Sequence, residues 1–580
     1  MGDNITLVIR GQEFTASKAN LSEYSDYFRA MFSGSYVEND QTRVNIDVFD
    51  PNIMNIILQY IRIGLIDLSE YSLDTIGELS EAASFLQVTE LMKQIEYTLD
   101  IQLSENNWIK TMAIAEAGSY KKLEQLAAAH GLLSFKCMKP EYIPTIQKLF
   151  WYLSHPYIDA ENEFQVFKFG HEWITQNQRG GDALLLVLCC LDYKKITIYD
   201  LHYMMALLGN YANSLAEKVI ECLHEHAEEE RQFTISYFTS RKSRICKKYT
   251  ERVYREVMNL LKDSITRKLV LTPAVPMWVM KDSKPEVVPH YLYTYTKETD
   301  FQRWLEVADK NLWGWSVVAW GLTKVVVACG EHGRGTGIFM RDIKVYDTLR
   351  NEWTQHGVSL PCRRHAGLAV LGDLLYMVGG VGGYRVVLDS AIVYDLKMRT
   401  SRKICNFPEA IQNPAVCTHD NAVYASGQKQ VYRYEDTGSS DRWTMVKDSD
   451  IRASCMISYK GYIHCAQSYF CHLYRFKPDD NQRPEMVAQL NCPPATLCHI
   501  GDRLIVFSRT MCGHADIMAV EEYNEDNYMD EQPKILWLET QSKLKINDVG
   551  GSCVVAMTIP PMNNVVSQTH MRHLSRFSED

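Results

Sequence analysis

The sequence predicts a multidomain chain: an α+β first part, an all-helical middle and an all-β end of repeated four-stranded sheets. Three observations carry this. Residues 1–100 alternate β-rich runs with apolar residues at helical spacing. Residues 101–270 keep helical spacing throughout. Beyond them, five stretches of 16 residues align without a gap, at 315–330, 365–380, 412–427, 452–467 and 493–508. At 580 residues the chain exceeds one ordinary core, so several domains are required.

The elements follow in order. Residues 5–9 form a β-rich run, Gly11 turns the chain and 12–14 form a second short strand. Leu21, Tyr24, Tyr27, Phe28, Met31 and Phe32 then fall at three-to-four-residue spacing, which predicts one helical segment. A strand is expected over 43–48. Pro51 opens a helix carrying Ile53, Ile56, Ile57, Tyr60 and Ile61, and Gly64 ends it. Helices over 71–85 and 89–99 complete the domain. In the middle part, Trp108, Met112, Ala115, Leu123, Leu126 and Ala129 form one helical stripe, and Phe164, Phe167 and Trp173 another. Residues 263–289, with Pro273, Pro276, Pro285 and Pro289, read as the passage to the last domain, 271–560. Residues 561–580 read as a disordered tail.

Each 16-residue frame holds an apolar stretch, a short turn, a second apolar stretch and a small or polar end. The turns fall at Gly372-Asp373, Asp420-Asn421, Lys460-Gly461 and Gly501-Asp502, residues that tolerate left-handed backbone angles. The first frame, with Thr323-Lys324, lacks that chemistry. Frames start 50, 47, 40 and 41 residues apart, a period that builds four-stranded propeller blades. After each frame comes a strand with a late aromatic: Tyr346, Tyr394, Tyr434, Tyr474 or Tyr523. Trp353 and Trp443 follow two of these, and rings at such places pack between blades. Gly379-Gly380 ends a second strand where no side chain fits, whereas Gln467 and Ser508 stand there in the fourth and fifth copies. A sixth blade is expected from both chain ends, with 274–280, 291–295 and 303–307 joined by 552–557. Sharing one sheet between the ends closes the ring without an unpaired edge.

Composition removes several function classes. With 61 basic and 71 acidic residues the net charge is −10, against nonspecific nucleic-acid binding, which needs a basic face. No apolar run reaches the roughly 18 residues of a membrane span; 183–191 is the longest dense stretch. The N-terminus lacks the layout of a secretory leader, and 16 cysteines then read as reduced thiols, so a cytoplasmic protein is expected. The basic cluster Arg241, Lys242, Arg244, Lys247 and Lys248 could add nuclear import, or activate the thiol of Cys246 within it. Neither cofactor nor metal is expected. Gly333-Arg334-Gly335-Thr336-Gly337 is not followed by a helix or by Gly-Lys-Ser/Thr, so it reads as a blade loop rather than a phosphate loop. His464-Cys465 and Cys471-His472 would sit on adjacent strands with alternating side-chain directions, a poor zinc cage. His224 and His226 lie two apart on a helix and do not share a face. No nucleophile–base set can be assembled, so no enzyme is expected.

Residues 4–14, with Ser25-Asp26-Tyr27-Phe28-Arg29-Ala30-Met31-Phe32-Ser33-Gly34 and Ala82-Ala83-Ser84-Phe85-Leu86-Gln87-Val88, resemble a BTB/POZ domain over about 100 residues. Residues 107–135 resemble the start of a BACK domain, the helical linker after BTB in kelch-like proteins. Gly379-Gly380, Tyr394, Trp353 and Trp443 resemble the kelch signature. The resemblance implies a BTB–BACK–kelch chain: an adaptor whose first end binds cullin-3 and whose six-bladed kelch propeller binds a client for ubiquitination. Tyr36-Val37-Glu38 resembles the family's hydrophobic–any–Glu element for cullin-3, which assigns that contact to Tyr36 and Glu38. Homodimerisation through BTB is open, because the family's additional first helix has no counterpart before residue 4, and Asn4 and Ser17 stand where relatives commonly carry Asp and His.

The first residue of each frame precedes a strand and so lies on one rim: Trp315, His365, Gln412, Arg452 and Pro493. In kelch-like relatives that rim receives the client. Arg364 and Arg452 imply pairing with client carboxylates and Trp315 implies stacking, hence an acidic or acidic–aromatic client motif. The rival readings are a kelch scaffold for actin or other cytoskeletal partners, and a transcriptional regulator using BTB alone.

Overall fold

The computed structural model describes residues 4–34, 41–230, 248–277, 290–308, 312–467, 469–501, 503–512, 515–524, 535–538, 540, 545–546 and 550–557. The chain divides into two compact units, with the break between Leu269 and Val270 and the second unit running to Thr558.

In the first unit, β1 (Asn4–Ile9) and β2 (Gln12–Ser17) form a hairpin, and β3 (Arg43–Asn45) joins β1 in parallel. The two-residue turn uses Arg10 and Gly11, both at positive φ. Alternation puts Ile5, Leu7 and Ile9 into the core. The helix expected across residues 21–32 is two helices, α1 (Lys18–Tyr24) and α2 (Asp26–Met31). Ser25 breaks it: its backbone is extended, its buried hydroxyl donates to the Leu86 carbonyl at 2.5 Å, and the same oxygen caps Phe28 N at 3.2 Å. The strand expected to reach residue 48 stops at Asn45, and Asp47 turns to accept from Arg10 N at 2.7 Å.

α3 (Pro51–Ile63) starts as the sequence indicates, with Asp50 capping Asn52 N at 2.9 Å and Pro51 in the first turn. It ends on Gly64 at φ 79°. α4 (Leu73–Phe85) and α5 (Thr89–Ile101) close the core around Leu21, Phe28, Met54, Ile57, Leu79 and Leu91. That core does not stop at residue 100. α6 (Trp108–Ala117) and α7 (Lys121–Leu132) send Ile114, Ala115, Tyr120 and Leu123 into it, and the Ser80 hydroxyl donates to the Tyr120 oxygen at 3.0 Å.

The helices after α7 build a second core around Trp108, Tyr152, Phe167, Trp173, Leu188 and Leu223. A buried arginine fastens its end. Arg267 donates from Nε and Nη2 to the two Glu163 oxygens, each at 2.9 Å, and also to the carbonyls of Leu153, His155 and Cys190. A fork–fork pair with every remaining donor engaged is the geometry in which a buried ion pair is tolerated.

Among the described residues the second unit holds six antiparallel blade sheets, five of four strands and one of five, and a short pair of Leu312–Trp313 with Glu331–His332. Blade one comprises Ser316–Trp320, Lys324–Ala328, Asp342–Asp347 and Glu352–Val358; blade two Gly367–Leu371, Leu374–Val378, Ala391–Asp395 and Thr400–Ile404. Blade three comprises Val416–His419, Ala422–Ser426, Gln430–Asp436 and Asp441–Asp448; blade four Ala453–Tyr459, Tyr462–Gln467, His472–Phe476 and Glu485–Gln489. Blade five comprises Pro494–Ile500, Arg503–Cys512, Ala515–Tyr523 and Ile535–Leu538, with Lys545–Ile546 also pairing its third strand. Blade six takes Cys553–Ala556 as its inner strand, followed by Leu271–Met277, His290–Thr296 and Asp300–Ala308.

Each inner strand touches the next, and Cys553–Ala556 touches both Pro494–Ile500 and Ser316–Trp320, so the circle is closed. At the seam the Ser552 hydroxyl donates to the Leu497 carbonyl at 2.9 Å, and Val317 N donates to the Gly550 carbonyl at 2.9 Å. The stretch read as a passage is therefore partly strand. Pro273 faces only Cys553–Ala556 and Pro276 only His290–Thr296, so each proline lies past the end of one of its two ladders.

The turns match their residues. Leu371 pairs Leu374, His419 pairs Ala422 and Tyr459 pairs Tyr462 across two-residue loops, with Gly372, Asp420, Asn421, Lys460 and Gly461 at positive φ. The first frame turns elsewhere than expected: Trp320 pairs Lys324, and Gly321 at φ 62° supplies the left-handed residue of a three-residue loop. The late aromatics join neighbouring blades. Tyr346 lies 5.3 Å from Trp353 and 5.8 Å from Trp304 of blade six, and Trp353 Nε1 donates to the Glu306 carbonyl at 3.1 Å.

Candidate functional site

Antiparallel alternation places two sets of segments at one end of every blade: the connectors entering the first strand and the loops between second and third strands. Together they form the rim. The residues expected to line it divide into two groups. Gln412 and Arg452 are exposed, and Arg452 makes no ion pair among the described residues. Trp315 is only 3% exposed; it packs edge-on against His290 and joins Leu312, Val317 and Val555 in a core. His365 is 9% exposed, with its ring edge-on to Trp313 at 5.7 Å. In this conformation the Trp315 face expected to stack on a client is covered.

Arg364, expected to meet client carboxylates, already holds one of the chain's own. Its Nη1 donates to Glu331 Oε2, and its backbone exchanges hydrogen bonds with Val381 at 3.0 and 2.8 Å. Glu331 also accepts from Gly335 N at 3.1 Å and Gly337 N at 2.6 Å. The glycine loop that resembles a phosphate cradle is thus an anion-binding nest filled from within. Burial alone would raise the Glu331 carboxyl, but the two amides and the Arg364 guanidinium hold it below the usual carboxylate range.

Other rim segments are pinned by ions that the repeat pattern does not announce, Arg363 and Glu521 buried and Glu409 half-buried. Arg363, fully buried, donates to the carbonyls of Gly379 and Ser390, both at 2.8 Å, and to the Ser390 hydroxyl at 3.0 Å. Glu409 accepts from Gln428 N at 2.8 Å. Glu521 accepts from Asn491 N, Cys492 N and the Ser508 hydroxyl at 2.8 to 3.2 Å. The result is a rim whose backbone is fixed while selected side chains stand out. Tyr384 is fully exposed and Tyr469 is 91% exposed, both at positive φ, and Ile338, Val386 and Phe470 accompany them.

The metal candidate is packed away: His464 is fully buried against Tyr459 and Tyr523, and burial, with Arg475 nearby, pushes its imidazole down to about 4. Among the described residues no group of three His, Cys, Asp or Glu side chains is placed to hold a metal, and no helix is long and apolar enough to cross a membrane. Tyr36, Glu38 and Cys246 lie outside the described residues.

Family comparisons agree with both units. The model for the BTB/POZ domain matches residues 3–103, and that for the Kelch motif matches 362–404, which is blade two. A BTB/POZ domain followed by a Kelch motif is the combination found in BTB–kelch proteins, and the chain is similar to several of them. It is 25% identical over 184 residues to Kelch-like protein 15 of Gallus gallus, a stretch covering 30% of this chain and 37% of that relative. It is 20% identical over 443 residues to Kelch-like protein 38 of Homo sapiens, covering 74% of this chain and 70% of the relative. To the human Kelch repeat and BTB domain-containing protein 2 it is 31% identical over 124 residues, 21% of this chain and 19% of that one. The match thus spans little more than a third of the first of these relatives, and most of a second only at low identity.

Proposed function

We propose that this BTB–kelch chain is a non-catalytic substrate adaptor of a cullin-3 ubiquitin ligase. In this reading residues 1–100 grip the cullin through Tyr36 and Glu38, residues 101–270 act as a BACK-type helical linker, and the propeller presents the client. The observation that carries it is the pairing of a BTB/POZ domain with a closed ring whose rim is rigid in backbone and furnished with exposed aromatic and basic side chains. The adaptor makes no bond itself. It raises the effective concentration of client near the ubiquitin carrier. The free cysteines among the described residues fit a reducing, cytoplasmic compartment.

Co-precipitation tests this. The wild-type chain should recover cullin-3, and Tyr36→Ala/Glu38→Ala should recover about tenfold less. Equal recovery would remove those two residues from the contact. No recovery by the wild type, with the propeller still binding partners, would leave a kelch scaffold instead.

A further inference from the structure

The rim is uneven in charge, and the unevenness lies in the second-to-third-strand loops of blades one and two, residues 329–341 and 379–390. Arg334 and Arg385 stand at the nest, Arg364 reaches it from the connector before blade two, and Arg341 sits exposed at the loop's root. Arg364 holds Glu331. Arg334 stands over the Trp313 ring at 4.9 Å. Arg385 lies against the nest itself, since a Cβ placed on Gly335 would come within 3.7 Å of its Nη2. The two loops contain two carboxylates. Glu331 is consumed by Arg364 and the amides of Gly335 and Gly337. Asp389, at the root of its loop, accepts from Asn406 Nδ2 at 3.1 Å. Arg334 and Arg385 make no ion pair among the described residues, and both are exposed.

Apolar groups stand beside these charges. Ile338 is 62% exposed, Val386 56%, and Tyr384 wholly so, on a backbone at φ 54° that a tyrosine adopts only at some cost. Arg385 follows at φ 62°. Two successive left-handed residues turn a tyrosine and an arginine outward together, and large aromatics with arginine are the usual anchors of protein contacts.

We propose that this sector of blades one and two is the client contact, and that the client offers an aspartate or glutamate carboxylate flanked by apolar side chains. The inference rests on the adaptor reading above and deepens it. The occupant follows from the donors. Glu331 shows that this loop accommodates a carboxylate between guanidinium and amides, and Arg334 and Arg385 repeat the guanidinium beside it with no ion pair among the described residues. The apolar neighbours favour a peptide segment over a bare anion. At a net charge of −10, attraction for acidic ligands is confined to such a local patch, whose arginines set the sign of the selectivity.

A phage-displayed random peptide library panned on the full chain provides the probe. The expected yield is peptides with Asp or Glu beside Ile, Leu, Val or an aromatic. Resynthesised with Gln or Asn in place of the acid, they should bind about tenfold more weakly, and the native peptides should lose affinity as salt rises. Arg334→Ala/Arg385→Ala should cost about tenfold, as should Tyr384→Ala, with the chain melting as the wild type does. Recovery of neutral or basic peptides, no recovery at all, or unchanged binding by both variants would overturn the proposal. Tighter binding of the same peptides with phosphoserine in place of the acid would overturn the choice of carboxylate. Cullin-3 capture is read separately in the same preparations, so loss of acidic selectivity with cullin retained refutes only this inference.

Discussion

Blades two and five solve one problem with opposite charges. In blade two, Gly379 and Gly380 clear space: a Cβ on Gly379 would lie 2.6 Å from the Ile411 carbonyl oxygen, and one on Gly380 2.7 Å from that of Arg364. The buried Arg363 then gathers the carbonyls of Gly379 and Ser390. In blade five Ser508 stands at the place of Gly380, inside a second strand that runs on to Cys512. The buried Glu521 gathers amides instead, from Asn491 and Cys492, and the Ser508 hydroxyl. Blade three lies between, with Gly427 retained and Glu409 accepting from Gln428 N. The difference teaches that the repeat motif records backbone clearance. A buried ion of either sign can tie connector to loop, in blade two with the motif kept and in blade five with it lost, provided the donors or acceptors around it are engaged.

The strongest way to break this comparison is to remove the ions. Glu521→Ala and Arg363→Ala should each destabilise the second unit by about 3 kcal/mol, because each removes a buried charged side chain that holds several connector and loop groups at once. Urea midpoints of the full chain measure it. If Glu521→Ala melts like the wild type while Arg363→Ala does not, the equivalence fails.

On the blade-four and blade-five side acid should act through His464. His464, facing Tyr459 and Tyr523, has a folded value of about 4, below the roughly 6.5 of an unfolded histidine. The unfolded chain therefore takes up the proton first. The stabilisation is full above about pH 6.5 and falls by about 1.4 kcal/mol per unit as pH drops toward 4. His464→Leu should flatten the pH–stability curve by that difference. An unchanged slope would mean that His464 is not buried neutral. Arg363 does not titrate in this range; the counterpart near blade two is His356, which burial also pushes down to about 4 beside Tyr394.

Glycine clearance predicts smaller effects with an internal control. Gly380→Ala should cost about 2 kcal/mol, since φ is 101° and carbonyl oxygen blocks the Cβ. Gly372→Ala, at φ 58° in open space, should cost about 1 kcal/mol. Equal losses would show that backbone strain alone, and not clearance, sets the glycine requirement. Smallest is Trp443→Phe, which loses the 3.2 Å bond from Nε1 to the Cys405 carbonyl but keeps an aromatic ring near Tyr434 and Phe407. About 1 kcal/mol is expected in the same urea titration.

What could be read from the sequence was local. Asp420-Asn421 and Lys460-Gly461 announce two-residue turns because few residues adopt those angles, and Asp50-Pro51 with Gly64 brackets a helix by capping chemistry. What escaped depends on groups far apart in the chain. Ser25 breaks a helical stripe because the Leu86 carbonyl stands beside it. Trp315 and His365 occupy rim positions by spacing, yet turn inward because His290 and Trp313 receive them. Glu331 lies 33 residues before Arg364, and only the ring brings them together. The glycine-rich loop did carry a usable signal, an anion cradle, and the anion proved to be the chain's own.

As an adaptor, the protein must act with both ends on a single client. The direct measurement is the half-life of proteins captured by the propeller, in cells carrying the wild type, Tyr36→Ala/Glu38→Ala, or Arg334→Ala/Arg385→Ala. Both variants should lengthen it to the value seen without the protein. A half-life unchanged by either variant, with capture intact in the first, would contradict the claim.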